Sequence, residues 1–190
     1  MKCYKWLLLL MLGGAYFFHQ ADRAIFGVLT PYIQADLGLN EIQIGHITTV
    51  LFITIAVFTF FAGFLGDRYN RKWIITVSLL FWSCATAAIG LIDNFEIWGL
   101  TISAFAMTMF LRSIAVGGGE SFYAPSAMSL LASCHKKTRS LAFSIHQAAL
   151  YFGLMMSGVL AAKVLGFFGS WRAVFAAFGL AGLVLGLVFI

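Results

Sequence analysis

Four ionisable residues stand inside apolar stretches with no loop to hold them. Asp22 and Arg23 lie in FFHQADRAIF, residues 17 to 26, and Arg112 and Glu120 lie farther on, with glycines at 117 to 119 just before the glutamate. Each would cost several kcal/mol if it met hydrocarbon at mid-bilayer, so each must face protein or water enclosed by protein. Two cations and two anions sum to zero, which predicts mutual neutralisation across the contact between the two segments. Buried pairs often lose to apolar packing on stability alone. A pathway for a solute or a proton therefore explains their presence better than a structural staple does. His19 precedes Asp22 and Arg23 by three and four residues and shares their face on a helix; proton binding and a satisfied hydrogen bond account for it equally well. Tyr123, one turn after Glu120, is a candidate solute contact. In SIHQAALYFG, Gln147 and Tyr151 are four apart, next to His146, and can line a cavity or bond between helices.

The elements that must position these groups are membrane helices. Of the 190 residues, 62% are hydrophobic and 10% charged, a composition suited to lipid rather than water. Apolar runs of about the ~18 to 20 residues that cross a bilayer as helix fall at 6–33, 44–65, 73–92, 97–132, 140–163 and 172–190. Six helices follow, in an all-α membrane protein. A membrane barrel would alternate apolar and polar residues over segments of about ten, and these runs are continuous. A cleaved signal peptide is disfavoured because the first run resumes past Arg23 and no A-x-A-like site precedes Tyr16. Cys3, Cys84 and Cys134 have neither disulfide-framework nor zinc spacing and read as small core residues. His46 and His135 fall near helix ends or in loops and read as solvated. Gly182 with Gly186, and Gly153 with Ser157, have the spacing of close helix packing.

Basic residues in short loops set orientation. Lys2, Lys5, Arg68, Arg71, Lys72, Lys136, Lys137 and Arg139 flank one side of the six runs, against Lys163 and Arg172 on the other. The amino terminus is expected in the cytoplasm and the chain in the cytoplasmic membrane. The net charge of +5 is thereby topogenic and points to no nucleic acid. No cofactor or metal is expected.

GFLGDRYNRKW, at the exit of the second run, places Gly63, Asp67, Arg68, Arg71 and Lys72 in a pattern that resembles the G-x-x-x-D-R-x-G-R-K signature of the major facilitator superfamily of transporters. Asn70 stands at the usual second glycine; asparagine tolerates left-handed backbone, so the turn is expected to survive. The resemblance covers the chain. Asp22, Arg23, Pro31, Ile33 and the following DLGLN are similar to the first-helix entry of the organic anion and sugar-acid branch, and Glu120 with Pro125 fits its fourth helix. Arg112 departs, lying eight residues before Glu120 where the branch has seven, a slip of ~100° around a helix. GSWRAVF resembles the opening of helix 6, with Trp171 and Arg172 as interface anchors.

The resemblance implies that residues 1–190 form the amino-terminal bundle of a major facilitator fold, two inverted three-helix repeats, truncated within helix 6 and lacking the carboxy-terminal bundle. It implies proton-binding carboxylates at Asp22 and Glu120, a solute-carboxylate partner at Arg23, and either a second such partner or a counter-ion to Glu120 at Arg112. It also implies a cytoplasmic gate at Gly63, Asp67, Arg68, Arg71 and Lys72, with the aspartate facing a helix amino terminus of the opposite bundle. The activity implied is symport of a small organic anion such as a sugar acid with protons. Rival readings are a spinster-like lipid transporter, a drug/proton antiporter, which typically carries a G-P motif absent from ALYFGLMMSGVLAA, and a sensor that has lost transport. A six-helix membrane protease is disfavoured because Ser157-Gly158 follows methionines and makes no G-x-S-G site.

Overall fold

A computed structural model describes residues 2–97 and 100–189. Its helices are α1 (Lys2–Leu37), α2 (Glu41–Arg68), α3 (Arg71–Ile89), then a fourth rod built in pieces, then α7 (Arg139–Phe168) and α8 (Trp171–Val188). The fourth rod runs through α4 (Ala104–Thr108), a π-helical segment (Met109–Val116), α5 (Gly117–Ser121) and α6 (Tyr123–Cys134). Six rods therefore form, as expected. Among the described residues, four helices are long and apolar enough to cross a membrane: Glu41–Gly66, Arg71–Ile89, Arg139–Phe168 and Trp171–Val188. The two remaining rods are those that carry the embedded charges.

One boundary differs from expectation. The apolar run from residue 97 does not begin as helix: Phe95–Ile97 and Leu100–Ile102 pair as a short antiparallel hairpin, with Glu96 opposite Thr101. Helix starts only where Ser103 can cap it, its hydroxyl accepting from the Ala106 amide at 3.3 Å, while Asn94 Oδ1 accepts from the Ala104 amide at 2.9 Å. The other ends follow local chemistry. Asn40 and Gln43 form a reciprocal capping box on α2, each side chain accepting from the other's amide at 2.9 Å. α7 ends at Gly169, whose φ of 67° is the left-handed cap that glycine adopts without strain. Asn70 works differently from the expectation. Its φ is −63° and its side chain accepts from the Lys72 amide at 3.0 Å, so it serves the α2–α3 turn as an N-cap and not through left-handed backbone.

α1 packs along α7 and α8, α3 along α8 and the fourth rod, and α2 along the fourth rod. The small residues permit this closeness. A Cβ at Gly153 would run into the Phe17 carbonyl, and one at Gly186 would come within 2.7 Å of Leu80. α2 and α7 are the least covered, with 22% and 17% of their spans buried against 50% for α3; they present broad faces to lipid or to further protein. Two apolar clusters fill the interior. One takes α1 from Ala21 to Ile33, with Phe175 and Val174 of α8. The other takes α1 from Leu8 to Ala15, with Trp82 of α3 and Tyr123 and Leu131 of α6. The charged residues lie where the two meet.

Several expectations about lesser residues are corrected. His135 is fully buried: its Nε2 donates to the Lys5 carbonyl at 2.9 Å, Nδ1 accepts from Thr138 at 3.0 Å, and Trp6 packs edge-on at 5.1 Å. It ties the start of α1 to the end of α6. Cys84 is exposed and Cys134 half-buried, so neither is a core residue, and the Cys3 side chain lies outside the described part. Trp171 is buried, and its Nε1 donates to Asp36 Oδ2 at 3.1 Å. Arg172 donates through Nη1 to the same oxygen and through Nη2 to the Ile92 carbonyl at 3.0 Å. The pair thus clasps the ends of α1, α3 and α8 together, where interface anchors were expected.

Candidate functional site

The structure gathers His19, Asp22, Arg23, Arg112, Glu120 and Tyr123 into one interior cluster between α1, α3 and the fourth rod. The helical spacing of α1 turns His19 and Arg23 toward Glu120 of that rod and Asp22 toward Thr86 of α3, and the glycine run 117–119 lets the rod approach its neighbours. A Cβ at Gly119 would meet Trp82 at 3.0 Å, and one at Gly117 would meet Leu51 at 2.8 Å.

Glu120 is the buried centre. Its Oε2 lies 3.4 Å from Arg23 Nη2 and 4.0 Å from His19 Nε2. Neither carboxylate oxygen has a well-formed hydrogen bond, and both ring nitrogens of His19 also lack one. Asp22 turns the other way and accepts from the Thr86 hydroxyl of α3 at 2.5 Å. Arg112 is 2% exposed; its Nη2 donates to the Arg23 carbonyl at 2.9 Å and its guanidinium stands 5.2 Å from the centre of the Phe26 ring. Arg23, not Arg112, is the ion partner of Glu120. The Arg23 side chain is 26% exposed, whereas Asp22, Arg112 and Glu120 are buried.

The one-residue slip of Arg112 has a structural counterpart. The π-helical segment that contains Arg112 bonds amides five residues back and so holds more residues per turn than α-helix. From this wider turn Arg112 reaches the Arg23 carbonyl of α1.

Beyond the charges, the Tyr123 hydroxyl donates to the Leu12 carbonyl at 2.5 Å and accepts from His146 Nε2 at 3.2 Å. Tyr16 stacks on His146 at 4.3 Å, and Trp82 packs edge-on against His19 at 5.2 Å. Gln147 is half-buried and Tyr151 is 62% exposed on α7; neither joins the cluster. Of the partners found here, Thr86, Trp82 and Tyr16 escaped the sequence reading, since a threonine or an aromatic in an apolar helix carries no positional signal. Arg23 and Arg112 also line a cavity of about 340 Å³ between α1 and α2, together with Phe26, Thr30, Thr48 and Phe52. Among the described residues no group of three or more His, Cys, Asp or Glu is arranged to hold a metal ion.

The residues expected to form a cytoplasmic gate lie in the last turns of α2 and the first turn of α3. Gly63 is exposed with open space around it, the Arg68 guanidinium lies 4.1 Å from the Phe64 ring centre, Arg71 is half-buried and Lys72 exposed. Asp67 is in the last turn of α2, and its side chain lies outside the described part.

With this geometry in hand, comparison with known proteins is decisive on one point: the sequence model of the Major Facilitator Superfamily matches residues 12–190. The chain belongs to the Major Facilitator Superfamily. Curated relatives of this facilitator chain include the probable galactarate/D-glucarate transporter GudP of Bacillus subtilis (strain 168), 28% identical over 187 residues, which cover 98% of this chain and 40% of that protein. Protein spinster homolog 1 of Homo sapiens is 29% identical over 152 residues, 80% of this chain and 27% of that protein. Among solved structures, a bacterial homolog to the human lysosomal transporter Spinster, inward-facing and occupied, superposes with a TM-score of 0.86 at 25% identity, covering 100% of this chain and 44% of that one. The facilitator chain thus spans less than half the length of these relatives.

Proposed function

We propose that this chain is the amino-terminal bundle of a proton-coupled symporter for small organic anions, of the sugar-acid class, working by alternating access in the cytoplasmic membrane with its amino terminus inside. The observation that carries the reading is the pairing of two arginines on one cavity with two buried carboxylates behind them. The cavity is within the range of ~300–1,000 Å³ found for small-ligand sites. With both carboxylates ionised, Asp22, Arg23, Arg112 and Glu120 are neutral in sum. A proton on either carboxylate leaves one positive charge, which a solute carboxylate at the arginines cancels. Proton and anion then enter the low-dielectric interior more easily together than apart. The under-bonded Glu120 is suited to such exchange, because protonation costs it no hydrogen bond. A second bundle supplies the opposing wall, and Gly63, Asp67, Arg68, Arg71 and Lys72 act at the cytoplasmic closure. Tyr123 holds the fourth rod to α1 beside the site, and His19 lies in the proton's path to Glu120; Gln147 and Tyr151 face the second bundle.

Similarity to galactarate, glucarate and hexuronate transporters supports the anion class. A lipid cargo has support from the fold match to the Spinster homolog, but two arginines on a small cavity suit a compact anion better. The test is uptake of D-glucarate by the full-length protein in proteoliposomes under an imposed proton gradient. Asp22→Asn and Glu120→Gln are expected to abolish gradient-driven uptake while solute exchange persists. Wild-type rates in both variants would reject the carboxylate roles, and transport of sphingoid lipid with no uptake of glucarate would reject the anion.

A further inference from the structure

Thr86 stands on α3, which carries no charge beyond its first turn. Other threonines of this chain spend their hydroxyls locally: Thr30, Thr48, Thr76 and Thr108 each donate to the carbonyl four residues back. That is the ordinary way for a helix to satisfy a hydroxyl in an apolar setting. Thr86 instead donates across helices to Asp22, with both groups buried at 1% and 5% exposure. The bond fixes where the Asp22 carboxylate points. Arg112 lies within electrostatic reach of both Asp22 and Glu120, yet its guanidinium is engaged by the Arg23 carbonyl and the Phe26 ring, and its Nε has no partner. The Arg112 guanidinium is held at the carbonyl of the residue that follows Asp22 on α1, so a carboxylate released from α3 has that arginine within its reach.

We infer that Thr86 is a positioning residue for the anion site: by holding Asp22 against α3 it keeps the carboxylate from pairing with Arg112, and so leaves the arginine facing the cavity for a carboxylate of the solute. The inference rests on the proposed anion site and adds to it a residue that touches neither solute nor arginine. Removing the hydroxyl turns Asp22 into a competitor of the solute. Affinity for the anion falls, while helix packing, which a valine preserves in shape, stays intact.

Equilibrium binding of D-glucarate and D-glucuronate to the purified full-length transporter, at fixed pH by calorimetry, tests this without requiring turnover. Thr86→Val is expected to weaken binding about tenfold, the scale of one lost hydrogen bond to a charged group, and Thr86→Ser to restore it. In the Asp22→Asn background the same valine is expected to have no effect, because the competing charge is gone. In uptake assays Thr86→Val raises KM more than it lowers kcat. Unchanged binding by Thr86→Val, or an equal loss with and without Asp22, overturns the positioning role and leaves the anion site standing. Failure of both acids to bind the wild-type protein overturns the anion site, and this inference with it.

Discussion

Two charged constellations can be compared within this bundle, and they are built on opposite terms. At the end of α1, Asp36 meets Arg172, Trp171 and, through the arginine, the Ile92 carbonyl; acceptor and donors are matched, and the ion pair is 32% and 43% exposed. In the interior, Glu120 is 2% exposed, and its oxygens, both ring nitrogens of His19 and the Nε atoms of Arg23 and Arg112 lack hydrogen-bond partners. The clasp is satisfied where water could have served it. The cluster is buried and lacks that matching among its own groups. A group that only had to hold helices together would gain from the first arrangement, since an unpaired buried polar group costs ~1–3 kcal/mol. The second fits the proposed site, in which a proton or an anion completes the bonding in part of a cycle.

Exchanging the two constellations experimentally gives the sharpest contrast. Glu120→Gln is expected to abolish proton-driven uptake with little change in the melting temperature of the detergent-solubilised protein. Asp36→Asn is expected to leave uptake intact. A protein that loses stability but not transport on Glu120→Gln would erase the distinction. The next effect concerns the packing on which both constellations depend. Gly153→Val drives a side chain into the Phe17 carbonyl and forces α7 away from α1, which costs about 1–3 kcal/mol and lowers the melting temperature; an unshifted melt would show that α1 and α7 are not in contact there.

The smallest effect belongs to the clasp. Asp36→Asn removes a partly exposed, solvent-screened pair worth about 0.5 kcal/mol. Its pH dependence has a definite sign. The hydrogen bond from Arg172, and after it that from Trp171, holds the Asp36 carboxyl below its ordinary value. The clasp therefore stabilises fully above the unfolded carboxyl value of about 3.9 and loses this contribution as pH falls through the lower folded value. Melting curves of wild type and Asp36→Asn are expected to differ at pH 6 and to draw together as pH falls below the unfolded carboxyl value of about 3.9; a gap that does not narrow on acidification would place the effect elsewhere than in the ionised carboxylate.

Asp22, Arg23, Arg112 and Glu120 were legible in sequence because charge in a lipid-spanning run has no cheap explanation, and the runs themselves were legible because nothing else sustains such length without charge. The slip of Arg112 was visible as spacing, but the π-helical turn that carries it was not. His135 was misjudged for a reason that generalises: a histidine near a helix end is as able to bridge two elements as to meet water, and which it does depends on whether Lys5 and Trp6 arrive beside it. Asn70 shows the same ambiguity on the backbone, where an N-cap and a left-handed turn draw on one residue type. The hairpin at 95–102 was hidden because a short apolar run has no period that separates strand from helix.

The sequence by itself determined the apolar solvent, the number of helical rods and the identity of the charged residues embedded in them, because these follow from transfer free energies summed along the chain. Partnership was decided only in three dimensions: Arg23 with Glu120, Asp22 with a threonine sixty-four residues away, Arg112 with a backbone carbonyl. Hydrogen bonds and ion pairs depend on distances of a few ångströms between elements far apart in sequence, and those distances exist only once the rods have packed.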